Sequence, residues 1–357
     1  MGADNSGSVG SVNNQRRLQT GVSAKTSFSG NKKDSSQYKK FGYFKFRNKF
    51  SFGKRGYRKS TSQRTNDRFL QYIILVPKKN GQMRPVINLK PLNQYLRKQH
   101  FKMDTISKVL NLVKQGDWAI SLDLKDAYFH IKVFKNHRKY LRFSVQGQVY
   151  QFKALCFGPT SSPRVFTKVV SVVAAHLRKQ NIRLAVYLDD WMCVNQFQQK
   201  LVIDREIMLN LLVRLGFLIN HEKSSLIPNQ TITYLGAVFK FDQGLVLPTQ
   251  DRIQSLFLSV QKVMNGMVTA RHYMEVLGKM ASCLELIPNA RLFMRPVQLH
   301  LLRNWTPSKM SLDFQIQCTP NLKVHLKWWL SLANIMQGRS LKQNQTSVTI
   351  TTDASKS

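Results

Sequence analysis

From Phe69 onward the chain alternates short apolar runs with turn-forming residues, and the period of the runs changes along it. FLQYIILVPKKNGQMRPVINL, residues 69–89, places two apolar runs on either side of Asn80-Gly81, a dipeptide suited to a tight turn. It predicts a hairpin of two strands with Lys78, Lys79 and Arg84 at its tip. AISLDLKDAYFHIKV, 119–133, alternates with period two, which sets Asp123 on the face opposite Leu122 and Leu124 at the end of an apolar strand. In LAVYLDDWMCV, 184–194, Asp189 and Asp190 interrupt two apolar runs, and a tight hairpin with the pair at its turn is the expected geometry. SSPRVFTKVVSVVAAHLRKQ, 161–180, predicts a mostly buried helix with Ser162 as N-cap and Pro163 at the first helical position. Ile207, Leu211 and Leu215 mark a second helical stripe between Asp204 and Leu215. Beyond Pro248 the pattern is mainly helical, and KWWL at 327–330 belongs in a core rather than on a base-stacking surface.

Residues 1–68 differ in texture. They hold 16 Lys or Arg against 3 Asp, few aliphatic residues and much Ser, Asn, Gln and Gly, a composition expected to stay disordered. Within them YKKFGYFKFRNKFSFGKRGYRK, 38–59, interleaves aromatics with cations. That suits a nucleic-acid strand, whose bases stack on rings while its phosphates meet Lys and Arg; a solvated basic tail is the equal alternative.

Charge narrows the function classes. With 55 Lys and Arg against 18 Asp and Glu over 357 residues, a net charge of +37 calls for a polyanionic partner. The four cysteines, Cys156, Cys193, Cys283 and Cys318, are too far apart in sequence to suggest a zinc site or a disulfide framework. They fit a reducing intracellular compartment, cytoplasmic or nuclear. No apolar stretch has the length of a membrane span and the first residues lack the apolar core of a secretory signal, so neither membrane insertion nor secretion is expected.

Against so basic a background, the carboxylates beside hydrophobic strands stand out. An unpaired buried carboxylate is costly, and a divalent cation relieves that cost. Magnesium accepts one or two carboxylates together with phosphate and water oxygens, so Asp123 on one strand and Asp189 and Asp190 on a hairpin would suit two ions. Two such ions can activate an attacking hydroxyl and stabilise a leaving pyrophosphate. Asp-Asp alone would be an ordinary polar turn; its combination with the DLKDAY strand is far more specific.

YLDD, 187–190, resembles the Y-x-D-D box of reverse transcriptases, and LDLKDAY, 122–128, the strand that supplies their other catalytic aspartate. PKKNGQMRPVINLKPLN, 77–93, is similar to their fingers hairpin, FKALCFGPTSSPRVFTK, 152–168, to the loop and helix that shape the nucleotide pocket, LGFLINHEKS, 215–224, to the motif after the palm hairpin, and TYLGAVF, 233–239, to the primer grip. RPVINLKPLN, DLKDAYFHI and VYLDDW look most similar to DIRS-like retrotransposons, with gypsy-like elements and hepadnavirus-type polymerases more distant.

The resemblance implies an α+β right-hand polymerase with an antiparallel palm sheet backed by helices. After the tail at 1–68 come fingers and palm at 69–244, a helical thumb at 245–306, a connection at 307–345 and a truncated start of an RNase H domain at 346–357. It implies RNA-directed synthesis of DNA on a primed RNA or DNA template from dNTPs, with two Mg2+ ions, or Mn2+ in their place, on the catalytic Asp123, Asp189 and Asp190. Lys78, Lys79, Arg84, Asp126, Ala127, Tyr128 and Phe157 would meet the dNTP, the backbone after Asp123 facing the triphosphate and the Tyr128 ring excluding a 2'-hydroxyl. Lys223 would donate a proton to the leaving pyrophosphate, and Tyr234, Leu235 and Gly236 would form the primer grip. Phe157 departs from the retroviral glutamine, and Pro159 from the usual aliphatic residue. Asp353 resembles the first RNase H aspartate, but the sequence stops four residues later, so no RNase H activity is expected. An RNA polymerase of the same palm type and an inactive nucleic-acid-binding relic are the alternatives.

Overall fold

The first apolar runs pair as their pattern predicts. In the computed structural model, which describes residues 70–71, 73–77, 83–145 and 148–342, β1 (Leu70–Gln71) precedes a hairpin of β2 (Ile73–Pro77) and β3 (Met83–Ile87). Ile73 lies opposite Ile87 and Pro77 opposite Met83. The expectations for residues 1–68, for Lys78 and Lys79, and for 346–357 with Asp353 fall outside the described residues, and only the backbone of Arg84 is described. All described residues belong to one unit, Arg64–Ser357. None of their helices is long and apolar enough to cross a membrane.

Two short helices, α1 (Lys90–Tyr95) and α2 (Ile106–Leu112), lead into β4 (Trp118–Asp123). Beyond it come 3-10 turns at Ala127–His130 and Lys135–Leu141 and the paired strands β5 (Arg142–Val145) and β6 (Gln148–Gln151). Helix α3 (Ser162–Lys179) is followed by β7 (Arg183–Tyr187), β8 (Asp190–Asn195), helix α4 (Gln198–Arg214) and β9 (Ser225–Asn229). The central sheet has the order β7-β8-β4-β9 with every neighbour antiparallel.

Period-two alternation divides this sheet between two cores. Ile120 and Leu122 of β4, Leu184 and Val186 of β7, and Trp191 and Cys193 of β8 pack with Phe166, Val170 and Leu177 of α3 and with Leu201, Met208 and Leu212 of α4. Ala119, Ala185, Met192 and Val194 point to the other face. There they meet α2 and a second sheet, in which β10 (Thr231–Tyr234), β11 (Ala237–Lys240) and β12 (Leu245–Pro248) are joined at the edge by the short strand Arg339–Ser340. The same core continues through helices α5 (Gln250–Met264), α6 (Ala270–Cys283) and α7 (Ala290–Asn304) into residues 307–342, where it takes in Ile316, Leu326 and Trp329. Trp329 is fully buried and Trp328 stacks on Phe293 at 4.1 Å, so the KWWL segment is core, as expected.

Two local expectations are corrected. Ser162 is the first residue of α3, not its cap; Ser161 holds the cap position, and the buried Ser162 hydroxyl donates to the Cys156 carbonyl at 2.9 Å instead of to its own helix. In α4 the buried stripe is Leu201, Asp204, Met208 and Leu212, while Leu215 is 53% exposed and Ile207 36%. Adjacent rows of this helix are both apolar, so only the position of the sheet selects the buried one.

Candidate active site

Alternation and register bring two of the predicted aspartates face to face. Asp123 ends β4 directly opposite Asp190, the first residue of β8. By period two, Asp123 shares the face of Ala119, and Asp190 that of Met192 and Val194, so both carboxylates leave the same side of the sheet. Leu124 donates its N–H to the Asp189 carbonyl at 3.0 Å. The preceding pair, Asp123 and Asp190, is therefore of the non-hydrogen-bonded kind, in which side chains approach more closely, and like charges placed so repel. Burial raises the Asp190 pKa to about 6, Asp189 and Asp123 add to the rise, and Lys223 opposes it.

The hairpin turn is one residue earlier than expected. Tyr187 pairs with Asp190, so the two loop residues are Leu188 and Asp189, and Asp190 already belongs to the strand. Leu188 takes φ +54°, a left-handed conformation that costs a leucine roughly 1 kcal/mol or more and is tolerated because a two-residue hairpin requires it.

Segment 217–224 straps the end of β4, a feature the sequence did not disclose. The Asn220 amide donates to Asp123 Oδ1 at 2.8 Å, and its backbone N–H donates to the Asp123 carbonyl at 2.9 Å. The Asp123 N–H donates to Ser224 Oγ at 3.0 Å, and that hydroxyl donates to the Asn220 carbonyl at 2.7 Å. His130 ties the following turn to the same strap: its Nδ1 faces the Ala127 carbonyl at 3.0 Å, and its Nε2 accepts the Leu218 N–H at 3.0 Å. These contacts settle the tautomer with the proton on Nδ1.

Of the backbone after Asp123, the first two amides are already used, Leu124 as above and Lys125 on the Leu218 carbonyl at 2.8 Å. Those of Asp126, in the left-handed region at φ +52°, and Ala127 make no hydrogen bond among the described residues. Tyr128 is buried, with its ring 4.8 Å from that of Phe157 and edge-on to Phe166 at 5.5 Å; burial and the Asp189 charge push its pKa up to about 12. Phe157 is 37% exposed and precedes Gly158 at φ +124°, where a Cβ would lie 2.9 Å from the Ile87 carbonyl oxygen. Asn93 holds this loop by donating to the Gly158 carbonyl at 3.0 Å and accepting from Thr160 N–H at 3.0 Å.

Tyr234 is buried, and its hydroxyl donates to the Asp190 carbonyl at 3.0 Å, which pins the hairpin from within the core. Leu235 and Gly236, at φ +48° and +73°, make the turn between β10 and β11, and Arg252 of α5 lies over them, donating to the Leu235 carbonyl at 3.2 Å. Asp104, also missed, accepts the N–H of Val186 on edge strand β7 at 3.1 Å and pairs with Arg178 at 3.1 Å. Lys223 is exposed.

Among the described residues, no group of three or more His, Cys, Asp and Glu side chains is already gathered to hold a metal ion. The donors on offer are carboxylate oxygens that repel one another, which fits a hard divalent ion that completes its shell with water and phosphate oxygens.

Residues 76–239 match the family model described as reverse transcriptase (RNA-dependent DNA polymerase). Over 255 residues, 70% of this chain, the sequence is 23% identical to the transposon Tf2-3 and Tf2-4 polyproteins of Schizosaccharomyces pombe, of whose length it spans 18%. The foamy viral protease-reverse transcriptase in complex with dsDNA aligns with a TM-score of 0.62 and 19% identity over 78% of this chain and 54% of that one. The same enzyme in complex with an RNA/DNA hybrid gives 0.60 and 19% over 77% and 34%. The fold is that of a right-hand polymerase.

Proposed function

We propose that this chain, which carries a reverse transcriptase domain at 76–239, is the RNA-directed DNA polymerase of a retrotransposon, adding dNTPs to the 3'-hydroxyl of a primer on an RNA or DNA template. One observation carries the reading: Asp123 and Asp190 stand opposite each other on one sheet face, beside Asp189. Magnesium, or manganese in its place, would be held by these three aspartates and supplies positive charge to the attacking hydroxyl and the leaving pyrophosphate. The amides of Asp126 and Ala127 are suited to triphosphate oxygens. The Tyr128 ring, backed by Phe157 and Phe166, would form the floor of the sugar pocket and disfavour a ribose 2'-hydroxyl.

Lys78, Lys79 and Arg84 belong to the proposal as phosphate contacts on sequence grounds. Lys223, whose charge reaches Asp190, is the proton donor in this reading, and the Leu235-Gly236 turn meets the primer while Tyr234 holds the hairpin behind it. The DIRS-like assignment, the division at 244 and 306, and an intracellular site of action are parts of the same proposal. The test is primer extension by the purified chain on a homopolymer RNA template with magnesium. DNA synthesis that vanishes in Asp190→Asn supports the reading, and extension with NTPs in preference to dNTPs would replace it with an RNA polymerase.

A further inference from the structure

The strap at 217–224 touches Asp123 at every polar group of that residue except one carboxylate oxygen. Its N–H is held by Ser224, its carbonyl by the Asn220 backbone and its Oδ1 by the Asn220 side chain. The amide must present its NH2 group, because a carboxylate only accepts. No hydrogen bond to Oδ2 occurs among the described residues. Asn220 lies 97 residues from Asp123 in sequence, so the contact depends on the fold and not on local chain geometry.

We infer that Asn220 is a positioning residue that locks the Asp123 carboxylate in one orientation, so that Oδ2 is presented to a divalent cation while Oδ1 is held back. The inference rests on the metal-dependent reading above. Ser224 plays a different part, since it fixes only the backbone of Asp123. Without the Asn220 donor, the carboxylate is free to turn, under repulsion from Asp190, and presents its oxygens to the cation less often. Partners that orient a metal-binding side chain in this way commonly govern affinity by about tenfold or more.

The test uses the full chain with a primed template. Mn2+ binding is followed by the loss of the free-ion electron paramagnetic resonance signal, and extension is titrated with Mg2+. Asn220→Ala should weaken Mn2+ binding by about tenfold and raise the Mg2+ concentration for half-maximal extension in parallel. Asn220→Leu, which keeps the branching at Cγ and removes the donor, should do the same and guards against loss of fold in the alanine variant. Ser224→Ala should lower the melting temperature with a change in Mn2+ affinity below about twofold, a pattern a purely structural Asn220 would share. Wild-type Mn2+ affinity in either folded Asn220 variant, or Mn2+ affinity that survives Asp123→Asn unchanged, would overturn the inference. If the wild type extends no primer while Asp123→Asn and Asn220→Ala both lose Mn2+, the polymerase reading fails and the role of Asn220 stands.

Discussion

At one end of the central sheet, Asp117 is fully buried and every oxygen is answered. Arg183 grips it with two nitrogens at 3.1 and 2.6 Å, the Lys114 N–H donates at 2.8 Å, and Gln196 adds its amide. Beside it the buried Asp204 accepts from Asn195 at 2.7 Å and lies 3.8 Å from Lys200. At the other end, one strand length of the same β4 and β8 away, Asp123 and Asp190 face each other, with an amide on one and an exposed lysine near the other. Carboxylates that the protein neutralises hold the fold together. Carboxylates that it sets against each other carry an electrostatic cost: burial raises the Asp190 pKa, and the Asp189 and Asp123 charges add to the rise.

The largest test of this contrast is to neutralise each end. Asp123→Asn or Asp190→Asn should lower primer extension by at least about a thousandfold while template binding stays within about twofold, since little of the basic surface is removed. Asp190→Asn should also raise stability at pH 7 by about 1 kcal/mol, after allowance for solvent screening, because it removes a charge that burial disfavours first and the Asp189 and Asp123 charges second. Asp117→Ala should do the reverse: it leaves Arg183 without its partner and costs about 3 kcal/mol in urea denaturation, with activity per folded molecule retained. A stabilised Asp117→Ala or a strongly destabilised Asp190→Asn would dissolve the distinction.

Tyr128→Ala should lower the preference for dNTPs over NTPs by roughly tenfold, measured as the ratio of kcat/KM values. An unchanged ratio removes the ring from sugar selection. The smallest effect concerns His130, whose pKa burial lowers from the ordinary 6.5, against weaker upward pulls from the Ala127 carbonyl and Asp126. The unfolded chain therefore takes up a proton at a pH where the folded one does not. The His130 contribution is intact above pH 6.5 and is lost as pH falls from there through the depressed folded value, with a slope below about 1.4 kcal/mol per pH unit. His130→Gln should flatten this part of the stability profile.

Sequence alone determined the elements whose signals are local. Alternation marked β4, the apolar runs on either side of Asp189-Asp190 marked β7 and β8, Asn80-Gly81 marked the β2–β3 hairpin, and DLKDAY with YLDD singled out the aspartates, because strand period, turn chemistry and misplaced charge are all read within a few residues. Where two local patterns competed, it failed: α4 has two adjacent apolar rows, and Ser162 could cap a helix or bond to Cys156. Tertiary structure decided which row faces the sheet, and it placed Asp123 opposite Asp190 through a strand register that no single segment encodes. It also supplied the supporting residues Asn220, Ser224, His130, Asp104 and the Tyr234 hydroxyl, whose bonds join points between 44 and 101 residues apart. Their roles arise from distances in space, and an Asn or Ser in a turn looks the same in sequence whether it meets solvent or the end of a strand that carries a carboxylate.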